Sequence, residues 1–512
     1  MLGGSLMLGA AGCTDSFEDF NTNSKAPTIE QMEGDFAYTA TLIGNMIPVV
    51  CLGQENAYQM NDQMIGCEYG RMTAASNMWG TDGMFGTYNP RLGWQGYLFN
   101  DLMPNYMYTP FFKIRDASES KGLVYHLANV LRIFGTVRVS DCYGPTPFSM
   151  VGGGNSFQVE YDNMPDLYNA MFEELDNAIS GLKEAAGANG EQIFGNNDPI
   201  YGGNVAKWTK FANTLKLRMA LRIVNANPAL AKQKAEEAVA DVAAGLIQTP
   251  AEAGWSTYIP GGNALHKVTV FWNEGAVSAD ITSYMNGYND PRLPLYVKAT
   301  PNGSYTGVRN GVYRYGAQSG NNFNNYSKTI YESSSPLLAI AASESWFLRA
   351  EGALRGWNMG GSAKELYEQG VTVSMDERGA AIGNYLSSTA TPADYVALDN
   401  ASYNITAQST VTPSYDEAAS FETNLERIIV QKWLGNYPNG WESWADKRRT
   451  GYPKWFPVVN NLSTDGVNST DGMQRIPFPQ SEFNTNETNV KAAIQMLGGP
   501  DNSATKLWWA KK

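Results

Sequence analysis

Trp208-Thr209-Lys210-Phe211-Ala212-Asn213-Thr214-Leu215-Lys216-Leu217-Arg218 is the stretch from which the fold is read. Trp208, Phe211 and Leu215, continued by Met219 and Leu221/Ile223, return every three or four residues. That spacing places apolar side chains on one face of an α-helix and predicts a helix over 205–226. Upstream, 164–186 carries Leu167, Met171, Leu175, Ala178, Ile179 and Leu182 at the same steps, behind a Pro165-Asp166 pair suited to a helix start. Downstream, 229–244 is alanine-rich and amphipathic. Further out, 101–119, 123–139, 338–357, 362–379 and 421–437 also read as helices. Asn358-Met359-Gly360-Gly361 separates one pair, and Pro438-Asn439-Gly440 ends the last. Consecutive helices with short links bury their apolar faces by stacking, as in tetratricopeptide repeats. The spacing here is uneven, so a regular solenoid is not expected. Long Gly-, Asn- and Tyr-rich stretches lie between the helices, at 73–96, 187–204, 251–335 and 382–415. Structureless loops of that length are rare unless functional. Within one of them, Gly311-Val312-Tyr313-Arg314-Tyr315 alternates like a short strand.

Composition narrows the function classes. The chain has 512 residues, with 37 Lys plus Arg against 50 Asp plus Glu, a net charge of −13. An acidic chain with no basic tract does not suit nucleic acid. Charged residues at 17% and aromatics at 12% exclude a disordered chain. A mean hydropathy of −0.33 excludes a polytopic membrane protein, and the longest apolar candidate, 123–139, is interrupted by His126, Arg132 and Arg138. His126 and His266 are the two histidines, which excludes any site needing a histidine cluster; both read as structural. No nucleophile elbow, P-loop, dinucleotide fingerprint or His-Glu-x-x-His occurs. The first thirteen residues, Met1 to Cys13, form a short apolar run with small residues before a cysteine, the shape of a bacterial lipoprotein signal. The match departs from the pattern in having no Lys or Arg before Cys13, and Ala10 where Leu is usual. Lipidation of Cys13 is expected, with a polar tether from Thr14 to Asn21, so that the protein is anchored to a membrane and not threaded through it. Cys51 and Cys67 are close enough in sequence to pair in an oxidising compartment; buried free thiols are the other reading, and the preferred one.

Six motifs, in order behind Cys13, carry a family resemblance: Asp141-Cys142-Tyr143-Gly144-Pro145-Thr146-Pro147-Phe148; the 208–218 stretch; Asn289-Asp290-Pro291-Arg292-Leu293; Ser343-Glu344-Ser345-Trp346-Phe347-Leu348-Arg349-Ala350-Glu351-Gly352; Gln431-Lys432-Trp433 with the 441–453 stretch; and Arg475-Ile476-Pro477-Phe478-Pro479 with Glu482 and Asn486. Together the chain resembles the SusD/RagB-like outer-membrane nutrient-binding lipoproteins, especially the SusD-like branch with the Gln-Lys-Trp signature. The resemblance implies a mostly α-helical SusD-like fold, with four tetratricopeptide-like helix pairs, long loops and a few short strands. It implies one domain over 14–512 behind a signal segment at 1–13. It further implies a surface-exposed, lipid-anchored protein of the outer membrane that needs no cofactor and is not an enzyme. Such a protein captures glycans or oligosaccharides and delivers them to a SusC-like TonB-dependent transporter. Capture of peptides is the alternative, and a surface hydrolase a third reading, although nothing in the sequence sets the carboxylate separation a glycosidase needs.

The charged motif residues are expected to be structural. Arg349, Glu351, Glu442, Asp446, Arg448 and Arg449, the last four beside a Trp-rich turn, can pair across packed helices through bidentate bonds. Loop aromatics carry the ligand expectation, because a sugar ring offers an apolar C–H face and a polar rim. The first candidate is the 77–88 stretch, with Asn77, Trp79, Asp82 and Tyr88; the second runs from Phe271-Trp272-Asn273-Glu274 through Tyr284, Tyr288 and Arg292, with Trp272 foremost. Packing of loops onto helices is the competing role for each. Asp465-Gly466 and Asp471-Gly472 lack the full calcium-loop pattern and read as turns.

Overall fold

The computed structural model describes residues 37–75, 85–90, 92–153, 158–189, 194–257, 259, 261–312 and 323–511. The scaffold helices, in chain order, are α1 (Ala37–Met46), α2 (Thr109–Ala117), α3 (Gly122–Tyr143), α4 (Met164–Asn189), α5 (Val205–Arg222), α6 (Pro228–Ala240), α7 (Ala279–Gly287), α8 (Glu344–Leu354), α9 (Ala363–Arg378), α10 (Phe421–Gly435), α11 (Gly440–Thr450) and α12 (Glu487–Met496). The described strands make antiparallel ribbons: β1 (Thr73–Ala75) with β3 (Gly275–Val277), β2 (Gly254–Ser256) with β6 (Leu337–Ile340), and β4 (Val297–Lys298) with β5 (Lys328–Thr329). The fold is mostly helical, as read from the sequence.

Local signals set the helix ends. Asn204 caps α5 by accepting the Lys207 amide at 3.0 Å. Ser362 and Glu365 form a reciprocal capping box at the start of α9, which stops at Gly379 in the left-handed conformation, φ 69°. Helices pack as neighbours in sequence: α3 on α4, α5 on α6, α8 on α9, and α10 on α11. The largest apolar core draws residues from Ala40 to Ala510.

Several elements differ from the periodicity reading, each for a local reason. The helix expected over 338–357 opens as strand β6, because Leu337–Ile340 pairs with β2 before α8 begins at Glu344. The 101–119 helix is a π-helix over Leu98–Tyr108 followed by α2; it holds Pro104, whose missing N–H a widened turn tolerates. The expected Trp-rich turn is helix α11, every residue of which is buried. A helix enclosed on all sides shows no apolar stripe. Of the alternating 311–315 segment, Gly311 and Val312 are not in a strand and 313–315 lie outside the described residues. Cys51, Cys67 and Cys142 are free and buried; burial pushes the Cys51 and Cys67 thiols up to about 12. Cys13 lies outside the described residues.

The charged motifs knit the helices together. Arg218 on α5 holds Glu344 on α8 through two bonds of 2.6 and 2.9 Å. Arg222, one turn further, reaches Glu442 on α11 at 2.7 Å and Asp141 on α3 at 3.1 Å. Lys432 on α10 meets Asp446 on α11 at 2.8 Å. Arg449 on α11 grips Glu351 on α8 at 2.5 and 2.7 Å and Asp446 at 2.9 Å. Two of the expected pairings are corrected. Arg349 donates to the Met359 carbonyl at 2.9 Å, and Arg448 to the Asp141 and Gln474 carbonyls at 2.5 and 3.0 Å, with its guanidinium 3.6 Å from the centre of the Trp444 ring. His266 Nδ1 lies 2.9 Å from the Tyr331 carbonyl, and His126 packs against Gly181, where an added Cβ would stand 2.1 Å from the imidazole.

Candidate functional site

The β1–β3 ribbon is the root of the candidate site. Ala75 pairs with Gly275, so the chain leaving β1 toward 76–84 starts beside the chain arriving from Trp272. Val312 and Phe323 flank a second stretch, 313–322, outside the described residues. Glu68 ties these roots together from below. Its carboxylate accepts the Ala75 amide at 2.6 Å and the Asn310 side-chain amide at 2.8 Å. A Cβ on Gly86, where the chain re-enters after 84, would stand 2.2 Å from the same carboxylate, so a side chain there would push Glu68 off its partners. Burial pushes the Glu68 carboxyl up to about 7, outweighing the lowering by Asn310, Arg71 and the Ala75 amide.

The segment entering β3 presents an aromatic side chain to solvent. Lys267–Phe271 is a π-helical turn. Val268 is buried inside it, Lys267 is half-buried and Trp272 is half-buried against the core, while Phe271 faces outward. Phe271 is 69% exposed, and the Lys267 ammonium lies 4.5 Å from its ring centre. Asn273, at φ 56°, turns the chain into β3. Around these rings stands a polar set. Asn273 donates to Asn324 at 2.8 Å and accepts from Lys328 at 2.6 Å, and Glu274 accepts from Gln59 at 2.5 Å. An exposed ring, a cation and several amides at one loop junction can grip an apolar face and its hydroxyl rim together.

The expected site residues separate into three groups. Asn77, Trp79 and Asp82 lie outside the described residues, on the segment rooted at Ala75. Trp272 is at the loop junction. Tyr88, Tyr288 and Arg292 are interior, which corrects their expected place on a ligand-facing surface. The Tyr88 hydroxyl accepts from Arg71 at 2.9 Å. The Tyr288 hydroxyl donates to the Val411 carbonyl at 2.9 Å. Arg292, fully buried, bonds Asp290, Ser374 and Gln431 at 2.6, 2.7 and 2.9 Å, joining the Asp-Pro-Arg motif to the Gln-Lys-Trp motif. Phe271 opens the second candidate stretch, and its ring is more exposed than that of the neighbouring Trp272; the four-residue spacing from Lys267 puts Lys267 and Phe271 on one helical face. The 465–472 segment is a turn region, as read: Asp465 accepts the Ser503 amide at 2.9 Å, and Gly466 and Gly472 both have φ 76°.

Comparison with known proteins agrees with this architecture. Residues 19–510 match the family model described as SusD-like, the Susd and RagB outer membrane lipoproteins, and the chain belongs to that family. Among solved structures it is similar to a SusD-like protein from Bacteroides thetaiotaomicron VPI-5482, with 37% identity and a TM-score of 0.87 over 93% of this chain and 99% of that one. A SusD homologue from Bacteroides uniformis ATCC 8492 has 37% identity and a TM-score of 0.86 over 93% and 99%. A chitin-binding SusD homologue from Flavobacterium johnsoniae has 34% identity and a TM-score of 0.86 over 93% and 98%. No curated protein matches. The family is one of nutrient-binding outer-membrane lipoproteins, in general binding proteins and not enzymes. Among the described residues no helix is long and apolar enough to cross a membrane.

Proposed function

We propose that this protein is a surface-exposed lipoprotein, anchored through Cys13, whose 14–512 body captures glycans or oligosaccharides and passes them to a SusC-like TonB-dependent transporter. The observation that carries the reading is Phe271, an aromatic ring 69% exposed beside Lys267 and next to the Asn273–Asn324 and Glu274–Gln59 pairs. Leaving such a ring in water has a hydrophobic cost that a stacked sugar face relieves. Trp79 and Trp272 complete the aromatic platform, with Asn77 and Asp82 as polar partners. The chitin-binding relative supports a carbohydrate ligand. On this reading the protein acts by binding, and the structural role of the motif-helix carboxylates Glu344, Glu351, Glu442 and Asp446, all engaged by Arg or Lys, supports it. A panel of oligosaccharides and peptides titrated against protein lacking residues 1–13 tests the reading. Saturable binding of an oligosaccharide is expected; binding of peptides alone would replace it with peptide capture, and turnover of a bound glycan would make the protein a hydrolase.

A further inference from the structure

A depression lies beside the 55–67 helix, whose Gln59 bonds Glu274 at the loop junction. It has a volume of about 420 Å³ and adjoins another of about 300 Å³, the two sharing Asn45, Pro48 and Tyr106, so that they form one groove. Its floor is apolar, made by Ile47, Pro48, Leu52, Pro199 and Ile259. The rim is amide-rich, with Asn45, Gln54 and Asn197, and the half-buried ring of Tyr106 stands between the two parts. Among the described lining residues, Glu55 supplies the carboxylate and Lys113, in the second part, the ammonium. Their charges cancel, so the groove favours an uncharged ligand. Amide side chains both donate and accept, as hydroxyl groups do. A floor of apolar side chains with a few placed polar groups, in a volume within the roughly 300–1,000 Å³ usual for ligand sites, has the chemistry of a carbohydrate site.

The groove also has a defined relation to the loop junction. Glu55 lines it at the start of the 55–67 helix, and Gln59, four residues on, bonds Glu274 beside Trp272. Residues four apart share a helical face and are about 6 Å apart along the axis. We infer that this groove is an extension subsite, taking the distal units of an uncharged oligosaccharide whose first units sit at the Phe271–Trp272 junction. The inference rests on the proposed capture of glycans. It makes the protein a selector of chain length: a dimer fills the junction alone, and longer chains gain the contacts of Tyr106, Asn45 and Asn197.

Calorimetric titration with chito- and malto-oligosaccharides from dimer to octamer tests it on the full chain in detergent. Asn45 is exposed on α1, so Asn45→Trp fills the groove without touching the core; Glu55→Ala is the second variant, and a thermal melt confirms that each is folded. Affinity of the unaltered protein is expected to rise with chain length. Asn45→Trp should weaken the longest bound oligomer about tenfold while leaving the dimer unchanged, whereas Trp272→Ala weakens both. Equal affinity of Asn45→Trp and the unaltered protein for every length overturns the subsite and leaves the junction standing. Loss of dimer and octamer binding to the same extent in Asn45→Trp also overturns it. No binding of any neutral oligosaccharide to the unaltered protein overturns the subsite and the proposed glycan capture together.

Discussion

Arg449 makes two parallel bonds to Glu351 and a third to Asp446, with all three side chains almost fully removed from water. Removing this cation leaves Glu351 to Arg355 and Asp446 to Lys432, each short of one buried partner, and breaking a buried pair in this way costs about 3 kcal/mol, the lower part of the usual range, because those partners remain. Arg449→Met should lower the urea midpoint accordingly, and adding Glu351→Gln should recover part of the loss; an unchanged midpoint in the single variant would take the ion pair out of the account of stability. The same cluster sets the response to acid. Burial pushes the Glu351 carboxyl up, but Arg449 and Arg355 outweigh it and hold it down at about 2. A depressed carboxyl stabilises the fold above its ordinary value near 4.5 and loses that contribution as pH falls toward 2. Glu68 runs the other way. With its carboxyl raised to about 7, its contribution is complete below about 4.5 and is lost as pH rises through 7. Glu68→Gln imposes a constant penalty, since an amide cannot accept from both the Ala75 and Asn310 donors, but it removes the pH dependence. The melting temperature of Glu68→Gln relative to the unaltered protein should therefore rise from pH 5 to pH 8, and a constant difference would show that Glu68 titrates normally. Residue roles were only partly legible beforehand. Charge and spacing marked Arg349, Glu351, Arg448 and Arg449 as structural, yet which arginine meets a carboxylate and which a carbonyl depends on partners hundreds of residues away.

Helices with one apolar face were readable from periodicity, as α4 and α9 show. Helix α11 was not, because its Glu442, Asp446, Lys447, Arg448 and Arg449 are all buried and mask any stripe. Its seat is a backbone contact. A Cβ on Gly440 would stand 2.1 Å from the Gly66 carbonyl, and one on Gly70 would stand 2.2 Å from the Gly440 carbonyl. The end of the 55–67 helix thus touches the start of α11 without side chains between them, and Trp441 closes the joint by donating to Asp62 at 2.9 Å. Gly440→Ala should cost about 3 kcal/mol, the upper part of the usual overpacking range. Gly93→Ala, at a position with open space around it, should be neutral by comparison. Equal denaturation midpoints for the two variants would show that the helices do not meet backbone to backbone.

For the whole molecule, the family and its helical scaffold were visible in six motifs because those motifs hold the scaffold together: Arg218, Arg292, Glu351 and Arg449 all lie in them and all make inter-element bonds. The proposed ligand site was legible only as a region. Tyr88 and Tyr288 look like loop aromatics in sequence, but their hydroxyls find partners inside the fold, whereas Phe271 at the loop junction is exposed. Anchoring belongs to this scale too. Cys13→Ala should move the protein from the detergent phase to the aqueous phase, and unchanged detergent partitioning would remove the lipid anchor. Affinity purification from membranes should bring down a large barrel protein through an interface above the roughly 1,200–2,000 Å² of ordinary complexes. Glycan capture through the aromatic junction is the central claim. The most direct measurement is calorimetric titration of the best-binding oligosaccharide into the unaltered protein and into Phe271→Ala and Trp79→Ala, with a thermal melt of each. Because Phe271 is exposed, its removal should leave the melting temperature unchanged, while affinity falls at least about thirtyfold, the mark of an aromatic hot spot of about 2 kcal/mol. Undiminished affinity in both variants would contradict the account.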